Sequence, residues 1–347
     1  MTRRVRRAPV AWAVAAGALA LPGVASAHVG RTAPVATNFR ARIVGFQPPA
    51  GALDAKVVDG DQTLWLRVPA TATVLVPGVL GEPLLRFDPR GVWLNLRSPT
   101  AQTDRIDRFD LRPSANPHAR PLWHRVASGH AYAWHEHRLH LLEPLARTRS
   151  SAGVLGPWSI PLIVDGRRHT LNGVLDYRPP GPGWAWIGLT CLLGLAAAAA
   201  TVLARERGPQ AAVALGLAAT LLIWAVRVGR ELYGRPAVGT IGYLEIALTS
   251  VVGVALLVGL LNRDRDVRVF TAFLAGFGSI YEGLTMLPVL THATALTALP
   301  SGVARVAVVL ILGLGTGALI GSGAEELRER IPRADGRAGV EQLKGLA

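Results

Sequence analysis

The stretch WSIPLIVDGRRHTLNGVLDY, residues 158–177, carries the clearest β-hairpin signal of the chain. Its two apolar runs flank Asp165-Gly166, a dipeptide that favours a two-residue turn because glycine tolerates a positive φ. The pattern predicts one strand over Trp158–Val164 and an antiparallel partner over His169–Tyr177. An antiparallel β domain is therefore expected around this hairpin.

Six shorter segments upstream of the hairpin are also predicted to be strands. Turn signals such as Asp59-Gly60 and Pro77-Gly78 separate them. The predicted strands are Phe39–Phe46, Ala52–Val58, Thr63–Val68, Thr71–Val76, Leu84–Phe87 and Val92–Leu96. Short strands at this spacing predict an all-β, immunoglobulin-like sandwich over residues 28–178. Ser98–Ala127 is polar and interrupted by proline, which predicts a long loop.

The chain changes character at residue 184. Five segments dominated by Ala, Leu, Val, Ile and Gly have the length that a membrane helix requires. The predicted spans are Trp184–Ala204, Gln210–Val226, Ala237–Leu261, Val267–Leu290 and Gly302–Ser322. They predict an all-α membrane domain of five transmembrane helices over residues 184–323, followed by a tail over residues 324–347. The Pro/Gly-rich residues 179–183 are expected to form a stiff hinge before the first span.

The N-terminus has the pattern of an export signal. Four arginines precede Pro9–Leu21, an apolar run that is too short to cross a bilayer comfortably. Small residues at Ala25-Ser26-Ala27 are suited to cleavage. The pattern predicts a signal peptide over residues 1–27, and the alternative is an uncleaved first membrane helix.

Basic residues indicate the orientation of the predicted spans. With the β domain outside, ten basic residues lie on the inner side and three lie in the short outer loops. The ten are Arg205, Arg207, Arg263, Arg265, Arg268, Arg328, Arg330, Arg333, Arg337 and Lys344, and the three are Arg227, Arg230 and Arg235. This bias predicts a multi-pass protein of the cell membrane with an extracytoplasmic N-terminal domain and a cytoplasmic C-terminus.

Composition limits the chemistry that is available to the β domain. The formal net charge of +14 includes signal-peptide and topogenic arginines, so membrane lipid, and not nucleic acid, is the expected partner. The single cysteine, Cys191, lies in the first predicted span, and Met286 lies in the fourth. Any metal site in the β domain must therefore use nitrogen and oxygen ligands, which favours Cu(II) or zinc.

Six of the nine histidines fall within residues 118–140, and three of them lie in Trp134-His135-Glu136-His137-Arg138-Leu139-His140. On a strand, His135 and His137 would project from one face and could bind one ion, which His140 could join after a bend. The segment predicts a metal site formed by these three histidines. Glu136 is less suited to coordination, although a carboxylate can orient an imidazole. The predicted supporting residues are Glu136, His130, Trp134 and Arg138.

Two other interpretations of the cluster stay open. Histidines often pair with carboxylates or backbone carbonyls, and Arg138 could bridge Glu136 in a purely structural network. Imidazoles also titrate near physiological pH, so the cluster could form a pH-responsive contact.

His28 is a further candidate ligand. Cleavage after Ala27 would make His28 the first residue, and the α-amino group and imidazole of one residue can chelate copper together. Combined with a β-sandwich, Gly129-His130, Tyr132 and a distal His-x-His, this arrangement resembles the copper-resistance proteins of the CopC type. That resemblance implies a sandwich that holds Cu(II) through His28, with His135 or His137 as the distal ligand.

A second resemblance covers nearly the whole chain. The motifs that carry it are Val76-Pro77-Gly78, Gly81-Glu82-Pro83, Arg97-Ser98-Pro99 and Trp134-His135-x-His137-Arg138-x-His140. They look like those of an actinobacterial family of exported, membrane-anchored proteins. This resemblance implies a fold and a location, and it implies no activity.

Ionisable side chains in or beside the predicted spans are functional candidates because charge is costly inside a bilayer. They are Arg227, Glu245, Glu282, His292 and Arg305. Pairing of Glu245 with Arg227 or Arg305 is the structural interpretation. An ion or proton path through Glu245, Glu282 and His292 is the functional one.

These features predict a membrane-anchored extracytoplasmic protein for Cu(II) handling or delivery, with zinc as the alternative metal. The candidate protein partners are a metal transporter and another envelope protein. The alternative function is a non-catalytic envelope sensor or interaction protein whose histidines are structural. An enzyme is not expected, because the sequence shows no nucleophile–base set, nucleotide loop or paired catalytic carboxylates.

Overall fold

The computed structural model describes residues 34–106, 113–233 and 240–330. The predicted signal peptide, His28 and the predicted tail beyond residue 330 lie outside these ranges. The chain divides into two compact units. In the described residues, the first unit contains the β region with Val226–Leu244 and Met286–Arg305, and the second contains the other helical residues.

Twelve strands lie in the described chain, and all of their pairings are antiparallel. They are β1 (Ala36–Thr37), β2 (Phe39–Gln47), β3 (Asp54–Val58), β4 (Thr63–Arg67), β5 (Val74–Pro77), β6 (Pro83–Asp88), β7 (Gly91–Asn95), β8 (Trp123–Ala127), β9 (Ala131–His135), β10 (Gly153–Val164), β11 (Arg167–Tyr177) and β12 (Thr294–Ala295). One sheet has the order β2-β11-β10-β5-β6-β7-β8, a second has the order β3-β4-β9, and β1 pairs with β12. All six upstream strands predicted from the sequence are present, with ends shifted by up to three residues.

The hairpin of β10 and β11 is confirmed. The two strands pair from Val164 opposite Arg167 to Gly153 opposite Tyr177, so β10 begins before Trp158. Asp165 and Gly166 form the turn with φ values of 48° and 79°. The left-handed backbone at both positions matches the twist that a two-residue hairpin turn requires.

One hydrophobic core is shared by the two larger sheets. Leu64 and Trp134 from the three-stranded sheet pack in the same buried cluster as Val76, Leu85 and Ile160 from the seven-stranded sheet. Burying an aliphatic side chain of this size contributes about 1.5–3 kcal/mol. The two sheets hold seven and three strands, a distribution that differs from the four and three of an immunoglobulin constant domain.

Ser98–Ala127, predicted as a loop, contains a short helix α1 (Pro99–Thr103) and the edge strand β8 in its described part. Helix α1 begins there because Ser98 accepts a hydrogen bond from Ala101 N at 3.1 Å and Pro99 occupies the first helical turn. Strand β8 extends the large sheet by pairing with β7. The sequence prediction missed both elements because each depends on a partner that is distant in sequence.

A buried carboxylate ties α1 to the β5–β6 turn. Glu82 is only 3 % exposed. Its side chain accepts hydrogen bonds from Ser98 Oγ at 2.6 Å, Thr100 N at 3.2 Å and Leu80 N at 3.1 Å. Gly78 is required opposite it, because a Cβ there would collide with Oε1 of Glu82. This network explains three of the motifs that stood out in the sequence.

Six further helices lie in the described chain after the β region. They are α2 (Gly183–Leu203), α3 (Gly208–Leu232), α4 (Thr240–Leu261), α5 (Arg265–Thr285), α6 (Pro288–Thr291) and α7 (Ser301–Arg330). Four segments of the described chain are long and apolar enough to cross a membrane: Gly183–Leu203, Arg205–Leu232, Gly242–Leu261 and Ser301–Arg328. They correspond to four of the five predicted spans.

The fourth predicted span, Val267–Leu290, is not among these segments. Helix α5 carries four charged residues, which lower its apolar character. The helix also ends at Thr285, and α6 begins at Pro288. Pro288 lacks the N–H group that would continue the hydrogen-bond ladder of the helix, so the prediction of one continuous helix was wrong.

Helix α7 continues past Ser322, the predicted end of the last span. Glu325 is buried and forms ion pairs with Arg265 and, at 2.6 Å, with Arg328. Near the middle of both helices, Gly276 of α5 and Gly315 of α7 allow a close approach. A Cβ on Gly276 would lie only 2.8 Å from the Gly315 carbonyl oxygen.

We expect Glu82→Gln to reduce the free energy of unfolding by about 1–3 kcal/mol, because the amide replaces an acceptor oxygen that receives two hydrogen bonds in a buried site. Denaturant unfolding of the full chain in detergent measures this change. Asp54→Asn at an exposed ion pair is the control and should change it by less than about 1 kcal/mol. Equal effects of the two substitutions would contradict the importance assigned to the network.

Candidate metal site

His135, His137 and His140 form one group at the end of β9. Each offers a ring nitrogen, and these atoms lie within 4.8 Å of one another. The ring centroids are 5.5 Å apart for His135 and His137, 5.1 Å for His135 and His140, and 4.6 Å for His137 and His140. Nitrogens about 2.1 Å from a tetrahedral ion lie about 3.4 Å apart, so small side-chain rotations bring the three rings onto one ion.

The three histidines come together because β9 ends at His135 and the chain then turns. His135 is the last residue of β9, opposite Thr63 of β4. His137 begins a 3-10 turn, His137–Leu139, and His140 follows that turn. The prediction that His135 and His137 project from one face of a continuous strand was therefore wrong, and the expected bend comes earlier. A turn with about three residues per revolution stacks positions 137 and 140 along one side.

Glu136 makes this turn and is completely buried. Its carboxylate accepts hydrogen bonds from Arg138 Nε at 2.6 Å, Arg138 Nη2 at 2.7 Å and Trp134 Nε1 at 3.0 Å. Burial opposes ionisation, but these donors outweigh it and hold the pKa of Glu136 below its ordinary value. Arg138 also donates to the Pro77 carbonyl at 3.1 Å, which fastens the turn to β5. Glu136 and Arg138 thus support the site by shaping the backbone.

Two oxygen atoms lie beside two of the imidazoles. Nδ1 of His137 lies 3.1 Å from Oδ1 of Asp104, and Nδ1 of His140 lies 3.2 Å from the Asp61 carbonyl oxygen. Because its partner is a carbonyl oxygen, Nδ1 of His140 carries the proton, and Nε2 keeps a lone pair for an ion, which is the usual arrangement of a histidine ligand. The contact of His137 with Asp104 lacks hydrogen-bond geometry. Burial raises the pKa of Asp104 to about 6 against the opposing effect of His137.

Asp61 and Glu143 form a second acidic contact beside His140. Asp61 is 1 % exposed, and Gln62 Nε2 donates to its Oδ1 at 3.2 Å. Burial and the neighbouring Glu143 carboxyl raise the pKa of Asp61 to about 8. Sequence reasoning missed Asp61 and Asp104, because they lie far from the histidines in sequence and no local pattern marks them.

Other predicted site residues lie elsewhere. His130 precedes β9, and its carbonyl accepts from Val68 N at 2.9 Å. Five residues of strand separate it from His135, about 17 Å, so the structure does not bring it into the group. His28 lies outside the described residues.

The ionisable residues in or beside the spans are distributed over several elements. Arg305 donates through Nη2 to the carbonyls of His292 and Ala293, both at 2.8 Å, a contact that the sequence did not indicate. His292 follows α6, and its Nδ1 lies 2.9 Å from the Pro288 carbonyl. Arg227 is in α3, Glu245 in α4 and Glu282 in α5.

No family model matches the chain, and neither a curated protein nor a solved structure matches it. The two resemblances drawn from sequence motifs therefore stay predictions. What the protein does has to be argued from the geometry of the site.

Asp61 should make the protein less stable as the pH rises. Its carboxyl loses a proton more readily in the unfolded chain, where its pKa is near 3.8, than in the folded protein, where it is about 8. The contribution of Asp61 to the free energy of unfolding therefore falls between these pH values. We expect Asp61→Asn to flatten the decline in melting temperature between pH 5 and pH 9, relative to the native chain and to Asp54→Asn. If Asp61→Asn left the dependence of melting temperature on pH unchanged, the raised pKa of the buried Asp61 would be contradicted.

Proposed function

We propose that this protein is a membrane-anchored extracytoplasmic metal-binding protein that handles or delivers Cu(II) through His135, His137 and His140. The observation that supports this proposal is the group of three ring nitrogens within 4.8 Å of one another. Three neutral imidazoles on one ion leave an open coordination position for water or an incoming ligand. An open position suits transfer of the metal to a partner. No catalytic activity is part of the proposal.

The donor set favours copper, with zinc as the alternative. Imidazole nitrogen suits both ions, and Cu(II) binds such donors more tightly than zinc does in the general order of divalent affinities. The β region has no cysteine or methionine, so sulfur ligands that would favour Cu(I) are missing from its sequence.

His28 is proposed as an additional ligand. Thr37 packs closely against Gly60, where an added Cβ would lie only 2.6 Å from Thr37 Cγ2. The next residue, Asp61, contacts His140 through its carbonyl oxygen. His28 is nine residues before Thr37. Nine extended residues reach about 30 Å, so an N-terminal histidine has enough chain to reach the group.

The proposed topology has five spans, with α5 as the least apolar, and a sandwich-type β domain on the outer side. The excess of basic residues in the inner segments supports this orientation. Helix α5 is proposed to span despite its charges because Arg265, near its start, pairs with the buried Glu325 of α7.

A second candidate function has its own support. A hydrogen bond to the Asp61 carbonyl holds the His140 ring, and the His137 ring lies beside the Asp104 carboxylate, without any ion. A non-catalytic envelope sensor or interaction protein could use the cluster structurally. Metal binding separates the two candidates.

The metal proposal is tested by titrating the full chain in detergent with Cu(II) and Zn(II). We expect one tight Cu(II) site whose affinity falls by about 100-fold or more in His135→Ala/His137→Ala, because loss of a supporting residue alone costs 10–100-fold. His118→Ala/His169→Ala removes two histidines outside the group and is the matched control. His28→Ala tests the additional ligand separately.

Electron paramagnetic resonance of the Cu(II) form should show nitrogen coordination that disappears with the double substitution. Absence of stoichiometric binding, or equal loss in the control variant, would overturn the metal proposal and favour the structural alternative.

The orientation is tested by labelling single cysteines in intact cells with a membrane-impermeant maleimide. In a Cys191→Ser background, Val44→Cys should be labelled, because Val44 is 72 % exposed in the β region. Lys344→Cys should react only after the cells are opened. The reverse pattern would contradict the proposed topology.

A further inference from the structure

The outward face of β6, β7 and β8 carries stacked arginine and tryptophan side chains. Arg86 and its strand partner Trp93 each lie between two core residues, so they project from the opposite side of the sheet. Trp123 lies on the same side, because its ring contacts Arg86. The Arg86 guanidinium lies 5.4 Å from the centroid of Trp93 and 4.8 Å from that of Trp123. Such contacts hold the Arg86 guanidinium in place beside the two rings.

Two further arginines complete this face. Arg90, in the β6–β7 turn, lies 5.7 Å from the Trp93 centroid. Arg125 of β8 is the strand partner of Trp93, and its Nε lies 3.4 Å from the Ala127 carbonyl. Arg86, Arg90, Trp93, Trp123 and Arg125 are called the arginine–tryptophan face below. Both Arg90 and Arg125 are exposed.

Asp88 is the acidic residue among these side chains, and its carboxylate is already engaged. Oδ1 accepts from Arg90 N at 2.9 Å and from Trp93 Nε1 at 3.1 Å. Oδ2 lies 3.2 Å from Arg86 Nε and 3.8 Å from Arg90 Nη2. Burial opposes its ionisation, but these donors lower the pKa of Asp88, so it stays charged. Two of the three guanidinium groups, those of Arg86 and Arg90, contact this carboxylate, so the face keeps an excess of positive charge.

We propose that the arginine–tryptophan face binds an acidic polysaccharide. Arg86 and Arg125 lie two strands apart, about 10 Å, and separate partners hold each of them. A polymer with repeated carboxylates can pair with arginines at several points of this face. The partly exposed indole rings add apolar surface on which the C–H faces of sugar rings pack.

The choice of a polysaccharide over a nucleic acid rests on the extracytoplasmic location proposed above. The binding surface itself is independent of the histidine group, which lies on β9 of the other sheet. Binding of the polymer and binding of the metal can therefore fail separately.

The test uses the full chain in nanodiscs of zwitterionic lipid, in buffer with a chelator, so that neither anionic lipid nor metal contributes. Immobilised polygalacturonate is the probe, and dextran and poly-glutamate are the comparison polymers. We expect binding to polygalacturonate that weakens by about tenfold in Arg90→Gln/Arg125→Gln, because each exposed ion pair contributes little alone. Arg167→Gln/Arg168→Gln removes equal charge from the exposed start of β11 and should change binding by less than about twofold.

Equal loss in both variants would show a response to net charge alone and would overturn the proposal. Equal or tighter binding to poly-glutamate or dextran would overturn the polysaccharide assignment, and so would absence of binding to polygalacturonate. Because both sides of a nanodisc are accessible, a wrong orientation of the chain in the membrane would not affect these outcomes.

Discussion

The candidate site depends on one buried carboxylate. Glu136 is completely buried, and it persists there because Arg138 and Trp134 donate three side-chain hydrogen bonds to it. A charge removed from water is tolerated only when such partners replace the solvent. Satisfying Glu136 ends the strand at His135 and begins the 3-10 turn, and this turn brings His137 and His140 beside His135. The histidines converge because a residue between them is anchored in the core.

A similar device fixes a second part of the β region. The buried carboxylate of Glu82 accepts hydrogen bonds from Ser98, Thr100 and Leu80. It thereby joins α1 to the β5–β6 turn, two segments that the hydrophobic pattern alone would leave as loops. Arg138 connects the two regions through its hydrogen bond to Pro77, just before the turn that Glu82 holds. The outer surface of the same sheet carries the arginine–tryptophan face. Buried charge thus shapes the backbone at both places.

In the helical region, the local hydropathy pattern predicts most of the apolar spans but not every helix end. Four predicted spans match segments that are apolar enough to cross a membrane. The span that ended at Leu290 was misjudged because hydropathy is summed over a window, whereas helix continuity depends on single residues such as Pro288. Glu325 was placed in the tail by its charge, although burial against Arg265 and Arg328 makes it part of the packed helix.

The sequence by itself determined the antiparallel β region, the hairpin around Asp165-Gly166, the apolar segments and the three histidines of the site. These features follow from alternation, turn chemistry and composition, which act over a few neighbouring residues. Only the tertiary structure decided that Asp104 and Asp61 lie beside two of the imidazoles, that β8 joins the large sheet and that His130 lies outside the histidine group. Each of these results joins residues that are distant in sequence, because burial and hydrogen bonding are satisfied in space and no local pattern records which partners will meet.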